Sequence, residues 1–116
     1  MDPFEKVAIG DTGVEVTRLG LGGAPLGGMI LADGIFVGSG YDEALAIIRR
    51  AYEIGVRYFD TAPMYGDGRS EVRYGRVFGE FPRESFAISA QGSRVLRPEN
   101  PVELAPYSED GIPHYL

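Results

Sequence analysis

Apolar and polar positions alternate over residues 6–9 and again over 14–17, on either side of Gly10-Asp11-Thr12-Gly13, which predicts an N-terminal β-hairpin. Residues 18–21 then run into Gly22-Gly23, a first core strand opening into a long glycine-rich loop. From Ser39 the period becomes helical: Ala44, Ile47, Ile48 and Ala51 share one face, with Asp42, Ala46, Arg49, Arg50 and Glu53 on the other. Ser39 and Asp42 have capping-box spacing, and Gly55 is a natural stop. Residues 56–60 read as the next strand. After Gly66-Asp67-Gly68, Ser70 is placed to cap a second helix over 71–78, where Tyr74, Gly75 and Phe78 share a face. Pro82 closes that unit and 86–90 is a third strand.

Strand, helix, strand, helix, strand with short connections predicts parallel pairing through right-handed crossovers. Residues 98–116 carry Pro98, Pro101, Pro106, Gly111 and Pro113 without a regular period and read as an irregular Pro-rich tail. No helix follows to cover the third strand, whereas parallel sheets are normally buried on both faces. Residues 18–21 and 86–90 should therefore be edges, with Phe86 and Ile88 poorly covered and with open strands that invite self-association. The simplest account is that residues 1–116 form the front of something larger.

Composition narrows the class of partner. The chain has 116 residues, 44% of them hydrophobic, which suits one soluble domain with one core. A net charge of -6 without Lys/Arg clusters argues against nucleic acid or anionic membrane. The uncharged stretch 19–32 is shorter than the ~20 residues that span a bilayer, and its glycines suit a loop. Cysteine is absent, so structural disulfides and thiolate metal sites are excluded, no metal is expected, and the expected location is cytoplasmic. The 17 glycines are about twice the usual ~7%, which calls for tight turns or close approach to a ligand.

The chemistry concentrates in Tyr58-Phe59-Asp60-Thr61-Ala62-Pro63-Met64-Tyr65-Gly66, where an acid ends an apolar strand and a tyrosine follows in the turn. Asp60 alone equally suits capping the turn through the Thr61 or Ala62 amides, and Tyr65 alone reads more often as a packing residue. Together, at the carboxyl end of a parallel strand, they are parts for proton transfer to a carbonyl oxygen, facing a common cleft beside Gly22 and Gly23. The loop from Gly20 to Gly28 fails both phosphate fingerprints. Pro25 stands where a dinucleotide motif needs its third glycine, and Met29 follows Gly28 where a P-loop needs lysine.

These residues resemble the aldo-keto reductase family. Beside the Asp60–Tyr65 segment, Gly68-Arg69-Ser70-Glu71 with Gly75, Leu19-Gly20-Leu21-Gly22-Gly23 and the helix end 51–55 match its pattern, so the resemblance covers residues 5–98. Gly22-Gly23-Ala24-Pro25-Leu26-Gly27-Gly28 with Arg94-Val95-Leu96-Arg97-Pro98 is further similar to the aldose, fucose and pyridoxal dehydrogenase branch. The resemblance implies an α/β fold, with the hairpin and first three β/α units of a truncated (β/α)8 TIM barrel. It also implies hydride transfer between NAD or NADP and a carbonyl or alcohol such as a sugar or aldehyde. The family's tetrad is Asp, Tyr, Lys and His. Asp60 takes the acid position and Tyr65 the acid/base position, while Gly22, Gly23 and Ala24 fall where the family lays backbone against the nicotinamide end of its cofactor, with Asp60 also expected near the cofactor's ribose. The lysine position aligns with Ala90-Gln91-Gly92-Ser93, and Gln91 stands there. The family histidine belongs to a fourth strand, and His114 lies outside the pattern in the Pro-rich segment.

Half of the tetrad and a neutral residue at the lysine position imply a chain inactive by itself. Two other readings stay open: a non-catalytic remnant acting as an interaction or structural module, and a small nucleotide-binding α/β module using the glycine loop.

Overall fold

The computed structural model describes residues 1–91. The Pro-rich segment 98–116, His114 and the Arg94–Arg97 run lie outside the described residues.

The N-terminal hairpin pairs β1 (Lys6–Ala8) with β2 (Glu15–Thr17) antiparallel, Val7 opposite Val16. Its turn uses left-handed glycines at Gly10 (φ 53°) and Gly13 (φ 79°), which a side chain would disfavour. The hairpin continues past its strands: Arg18 N–H donates to the Glu5 carbonyl and Leu19 N–H to Pro3. This is why the first core strand, expected over 18–21, is only β3 (Leu21–Gly22). Thr17, 1% exposed, locks hairpin to sheet by donating to the Leu19 carbonyl (2.7 Å) and accepting from Arg57 N–H (2.9 Å).

The glycine-rich stretch is more ordered than a loop. Gly23 opens a one-turn helix, α1 (Ala24–Gly27), with Pro25 early in it, where a missing N–H costs nothing. A short hairpin follows, β4 (Met29–Ile30) with β5 (Phe36–Val37), turning at Asp33-Gly34. Gly34 has φ 84° and the Asp33 carboxylate accepts from Ile35 N–H at 3.1 Å. Apolar runs around an Asp-Gly pair are a hairpin signal that was present in the sequence.

Helix α2 (Tyr41–Ile54) buries Ala44, Leu45, Ile48 and Ala51, so Leu45 takes the inward place expected of Ile47, which is half-buried. Its N-cap is Gly40 without a side-chain cap bond, so the Ser39–Asp42 capping box does not form. Gly55 ends the helix in the left-handed conformation (φ 116°), as expected. Strand β6 (Tyr58–Thr61), helix α3 (Arg69–Phe78), a 3-10 turn (Arg83–Ser85) and β7 (Ala87–Ala90) follow. Ser70 does not cap α3: the N-cap is Gly68, and the Ser70 hydroxyl bonds Thr61 inside the core. Gly75 lies exposed on the outer face instead of sharing the buried face with Tyr74.

Parallel strands β3, β6 and β7 form one sheet in that order, with Gly22 beside Asp60 and Asp60 beside Ser89. Residues of α2 and α3 join Phe59, Val56 and Phe86 in one cluster, so both helices cover the same face. Phe59, 0% exposed, sits among Tyr74, Phe78 and Phe86 at ring-centroid distances of 5.8, 5.1 and 5.9 Å. Phe86 was expected to be poorly covered and is buried, because Tyr52 and Phe78 already reach it. Ile88, next along the same face, is 38% exposed as expected. Among the described residues β3 and β7 are the outer strands of this sheet, and no helix is long and apolar enough to cross a membrane.

Candidate functional site

Alternation along β6 decides which face carries chemistry. Phe59 and Thr61 are buried toward the helices and the polar core, and Asp60 points to the opposite face at the strand's carboxyl end. Register then sets its neighbours. Gly22 lies on one side, and on the other Ser89 donates its hydroxyl to the Asp60 carboxylate at 2.6 Å. That bond takes the place of the turn-capping role open to Asp60 from sequence.

Beyond Thr61 the chain turns through buried Ala62 and half-buried Pro63 to Tyr65, whose N–H donates to the Ala62 carbonyl at 3.1 Å. Gly66, Asp67 and Gly68 are consecutive left-handed residues (φ 66°, 51° and 96°), a conformation that Gly and Asp accept. The turn delivers Ser70 and Arg69 to α3, with their N–H groups donating back to the Tyr65 and Gly66 carbonyls.

Gln91 extends the β6–β7 ladder by one step, its N–H donating to the Thr61 carbonyl at 3.3 Å. This brings its side chain over the turn, where Nε2 donates to the Tyr65 hydroxyl at 3.3 Å. Asp60, Tyr65 and Gln91 thus gather at the carboxyl end of adjacent strands. Among the described residues Asp60 and Tyr65 do not bond each other. Each is held by the third strand or its extension, Asp60 through Ser89 and Tyr65 through Gln91.

The glycines divide by role. A Cβ on Gly22 would meet nothing within 4 Å, so bare backbone borders Asp60 on an open side. A Cβ on Gly23 would fall 2.5 Å from both the Asp60 carbonyl and the Ser70 hydroxyl, so this glycine serves the close packing of β3 on β6 and α3. Ala24, exposed, heads α1. Tyr74 lies behind the site, 2% exposed, its hydroxyl donating to the Leu21 carbonyl at 3.0 Å. Burial, reinforced by the negative charge of Asp60, raises its phenol well above the ordinary tyrosine range.

Sequence reasoning missed Ser89 and the buried polar face of α3. The alternation of β7, which sets Ser89 on the same face as Asp60, was the available signal. Among the described residues no group of His, Cys, Asp and Glu could hold a metal ion.

The profile of the Aldo/keto reductase family matches residues 18–113. Pyridoxal 4-dehydrogenase of Microbacterium luteolum is 40% identical over 93% of this chain and 36% of its own length. D-threo-aldose 1-dehydrogenase of a Pseudomonas species is 40% identical over 74% of this chain and 24% of its own length. Among solved structures, a thermostable aldo-keto reductase crystallised with epalrestat superposes with TM-score 0.62 and 30% identity, over 74% of this chain and 30% of its own. An aldo-keto reductase of Bacillus halodurans, 24% identical, shares the fold at TM-score 0.60, over 74% of this chain and 25% of its own. The chain thus spans about a quarter to a third of these relatives, in their N-terminal part. By profile, relatives and superposition alike, the chain belongs to the aldo/keto reductase family of oxidoreductases, and its described residues form an α/β segment of that family's (β/α)8 barrel.

Proposed function

We propose that this chain carries the proton-transfer corner of an NAD(P)-dependent oxidoreductase site acting on a carbonyl or alcohol, such as a sugar or aldehyde. Tyr65 is the acid/base, Asp60 its acidic companion, and Gln91 occupies the place of the family's lysine. The observation that supports this most directly is the hydrogen bond from Gln91 Nε2 to the Tyr65 hydroxyl at the open end of the sheet. The amide donates into the phenol oxygen, which leaves the phenolic proton free to be given to a substrate oxygen.

The residues present fit a nicotinamide. Gly22 leaves flat, unobstructed backbone beside a carboxylate, as a planar ring laid against a strand end requires. Gly22, Ala24 and Asp60 would hold it, and Gly23 would do so only through its backbone. A nicotinamide supplies the hydride exchanged with the substrate carbon. The protein's part is to orient the carbonyl and hold the proton at the Tyr65 hydroxyl.

A second reading has its own support. Gln91 brings no positive charge to stand beside the anion that a reversible proton transfer uses, and a non-catalytic role for the chain is favoured to that extent. We expect the 116-residue chain alone to show no NAD(P)-dependent turnover. The test joins this chain to the remaining strands of a related dehydrogenase and measures NADH and NADPH oxidation with aldose and aldehyde substrates. Turnover that Tyr65→Phe abolishes supports the enzymatic reading. Turnover indifferent to Tyr65, or none even with Gln91→Lys, supports the non-catalytic one.

A further inference from the structure

Helix α3 has an inward face made largely of polar side chains. Arg69, Ser70, Arg73 and Tyr74 are 1%, 0%, 2% and 2% exposed, although arginine is seldom buried so completely. Ser70 bonds the Thr61 hydroxyl, and Arg69, Arg73 and Tyr74 donate to backbone carbonyls between residues 21 and 39. Besides the Tyr74 bond to Leu21, Arg73 Nη1 donates to the Leu26 carbonyl at 2.6 Å and to the Ser39 carbonyl at 2.9 Å. Arg69 Nη2 donates to the Gly28 carbonyl at 3.4 Å, with its guanidinium 5.0 Å from the Phe36 ring centroid.

Leu26 and Ser39 flank the small hairpin β4–β5, so one guanidinium ties its two ends together. Those ends already touch. Ser39 N–H donates to the Pro25 carbonyl at 3.0 Å, and a Cβ on Gly38 would lie 2.6 Å from the Gly28 Cα. On its other side this closed base meets the site, because Gly27 lies directly on the Tyr65 carbonyl and Gly66 amide, with no room for a Cβ.

We propose that Arg73, assisted by Arg69, is a positioning residue for Tyr65. It holds the base of residues 26–39 closed, and that base is the wall against which the Tyr65–Gly66 turn is seated. Hydrogen bonds from a charged donor to buried carbonyls are among the stronger ones, and removing the donor leaves both carbonyls unsatisfied. The base then opens, and the turn loses its backing. The catalytic meaning rests on Tyr65 being the acid/base. The clamp itself does not.

The test is amide hydrogen exchange read by mass spectrometry on the 116-residue chain. Arg73→Met should speed exchange in residues 26–39 and in the 62–68 turn by at least about tenfold, with α2 unchanged. Arg73→Lys, which keeps a cationic donor, should restore part of the protection. Gly27→Ala, which forces the same two surfaces apart with Arg73 in place, should loosen the 62–68 turn in the same way. A uniform rise that includes α2, a turn unaffected by Arg73→Met or by Gly27→Ala, or no protection of residues 26–39 in the unsubstituted chain overturns the proposal. If Arg73→Met does not fold, Arg73→Lys and Gly27→Ala decide by the same criterion: partial loosening of residues 26–39 and a loosened turn support it, and unchanged exchange in either overturns it. Absence of turnover in the extended protein, with this exchange pattern intact, would count against the proposed activity and leave the clamp standing.

Discussion

The side-chain amide of Gln91 donates to the hydroxyl oxygen of Tyr65 across 3.3 Å, and the backbone places the two there independently. Gln91 arrives by extending the β6–β7 ladder to Thr61, and Tyr65 by the left-handed turn after β6. A neutral donor therefore faces the phenol oxygen, and under the proposed assignment of Gln91 to the lysine position it keeps the direction of hydrogen bonding without the charge. The hydrogen bond keeps the phenol oriented.

Gly22 and Gly23, adjacent in sequence, should answer substitution in opposite ways. Gly23→Ala drives a methyl to within 2.5 Å of the Asp60 carbonyl and 2.8 Å of the Tyr74 ring, so strand β3 must move off β6. Overpacking of this kind costs about 1–3 kcal/mol, which chemical denaturation will read as a lower midpoint. Gly22→Ala meets nothing within 4 Å and should leave the midpoint within about 0.5 kcal/mol. In a chain extended to a full barrel, Gly22→Ala should still weaken NAD(P)H binding, because its methyl stands on the open floor beside Asp60. Equal midpoints for the two variants would show that the close contact at Gly23 relaxes freely.

The regular elements were legible because their signals are local. The hairpin, α2, β6 and the Gly55 stop follow from alternation, helical period and a left-handed glycine, and Asp60 and Tyr65 from their placement at a strand end. What was not legible depends on partners distant in sequence. The first core strand shortens because Arg18 and Leu19 pair with Glu5 and Pro3. The inner face of α3 defeats a hydrophobic pattern because Arg69, Ser70 and Arg73 are buried by bonds to backbone carbonyls and to Thr61. Phe86 precedes its strand and still packs on Phe59 and Phe78, a contact no periodicity encodes.

Tyr74 should make stability fall in alkali. Its folded-state pKa is raised by burial and then by the Asp60 charge, whereas an unfolded tyrosine ionises near ~10. Above that pH the unfolded chain has lost a proton that the folded chain keeps, so unfolding gains favour as pH rises, and the contribution is fully present below it. Tyr74→Phe removes this dependence and forfeits the bond to the Leu21 carbonyl, worth about 1 kcal/mol near neutral pH. Denaturation midpoints taken from pH 8 to 11 should therefore fall more steeply for the unsubstituted chain than for the variant. Parallel curves would show that Tyr74 ionises in place.

Strand β7 should make the chain self-associate. Ile88 shares the helix-facing side of the sheet with Phe59 and is 38% exposed, and β7 is an outer strand among the described residues. At ~25 cal/mol per Å² of apolar surface, a few such wet positions forfeit several kcal/mol against a domain's net stability of ~5–15 kcal/mol, so pairing across the open strand is favoured. Sedimentation of the 116-residue chain should show oligomers, and Ile88→Lys should shift them toward monomer. A monomer with a sharp cooperative melt before any substitution would refute this.

Gln91→Lys tests whether charge is what the Tyr65 site lacks. An ammonium about 4 Å from a phenolate, at an effective dielectric of ~20, favours the anion by about 4 kcal/mol, or about three pKa units. Gln91 is exposed, so solvent will screen part of this. A third of it would still raise the rate about tenfold. In the 116-residue chain the substitution should give no NAD(P)-dependent carbonyl reduction, because a proton donor of improved acidity does nothing until cofactor and substrate are held together. In a chain extended by the remaining strands of a related dehydrogenase, turnover should rise at least about tenfold, and its pH profile should extend to lower pH in the oxidative direction, where the phenolate acts as base. An extended enzyme indifferent to residue 91, with its pH profile unmoved, would mean that the hydrogen bond Gln91 already makes is all the site uses.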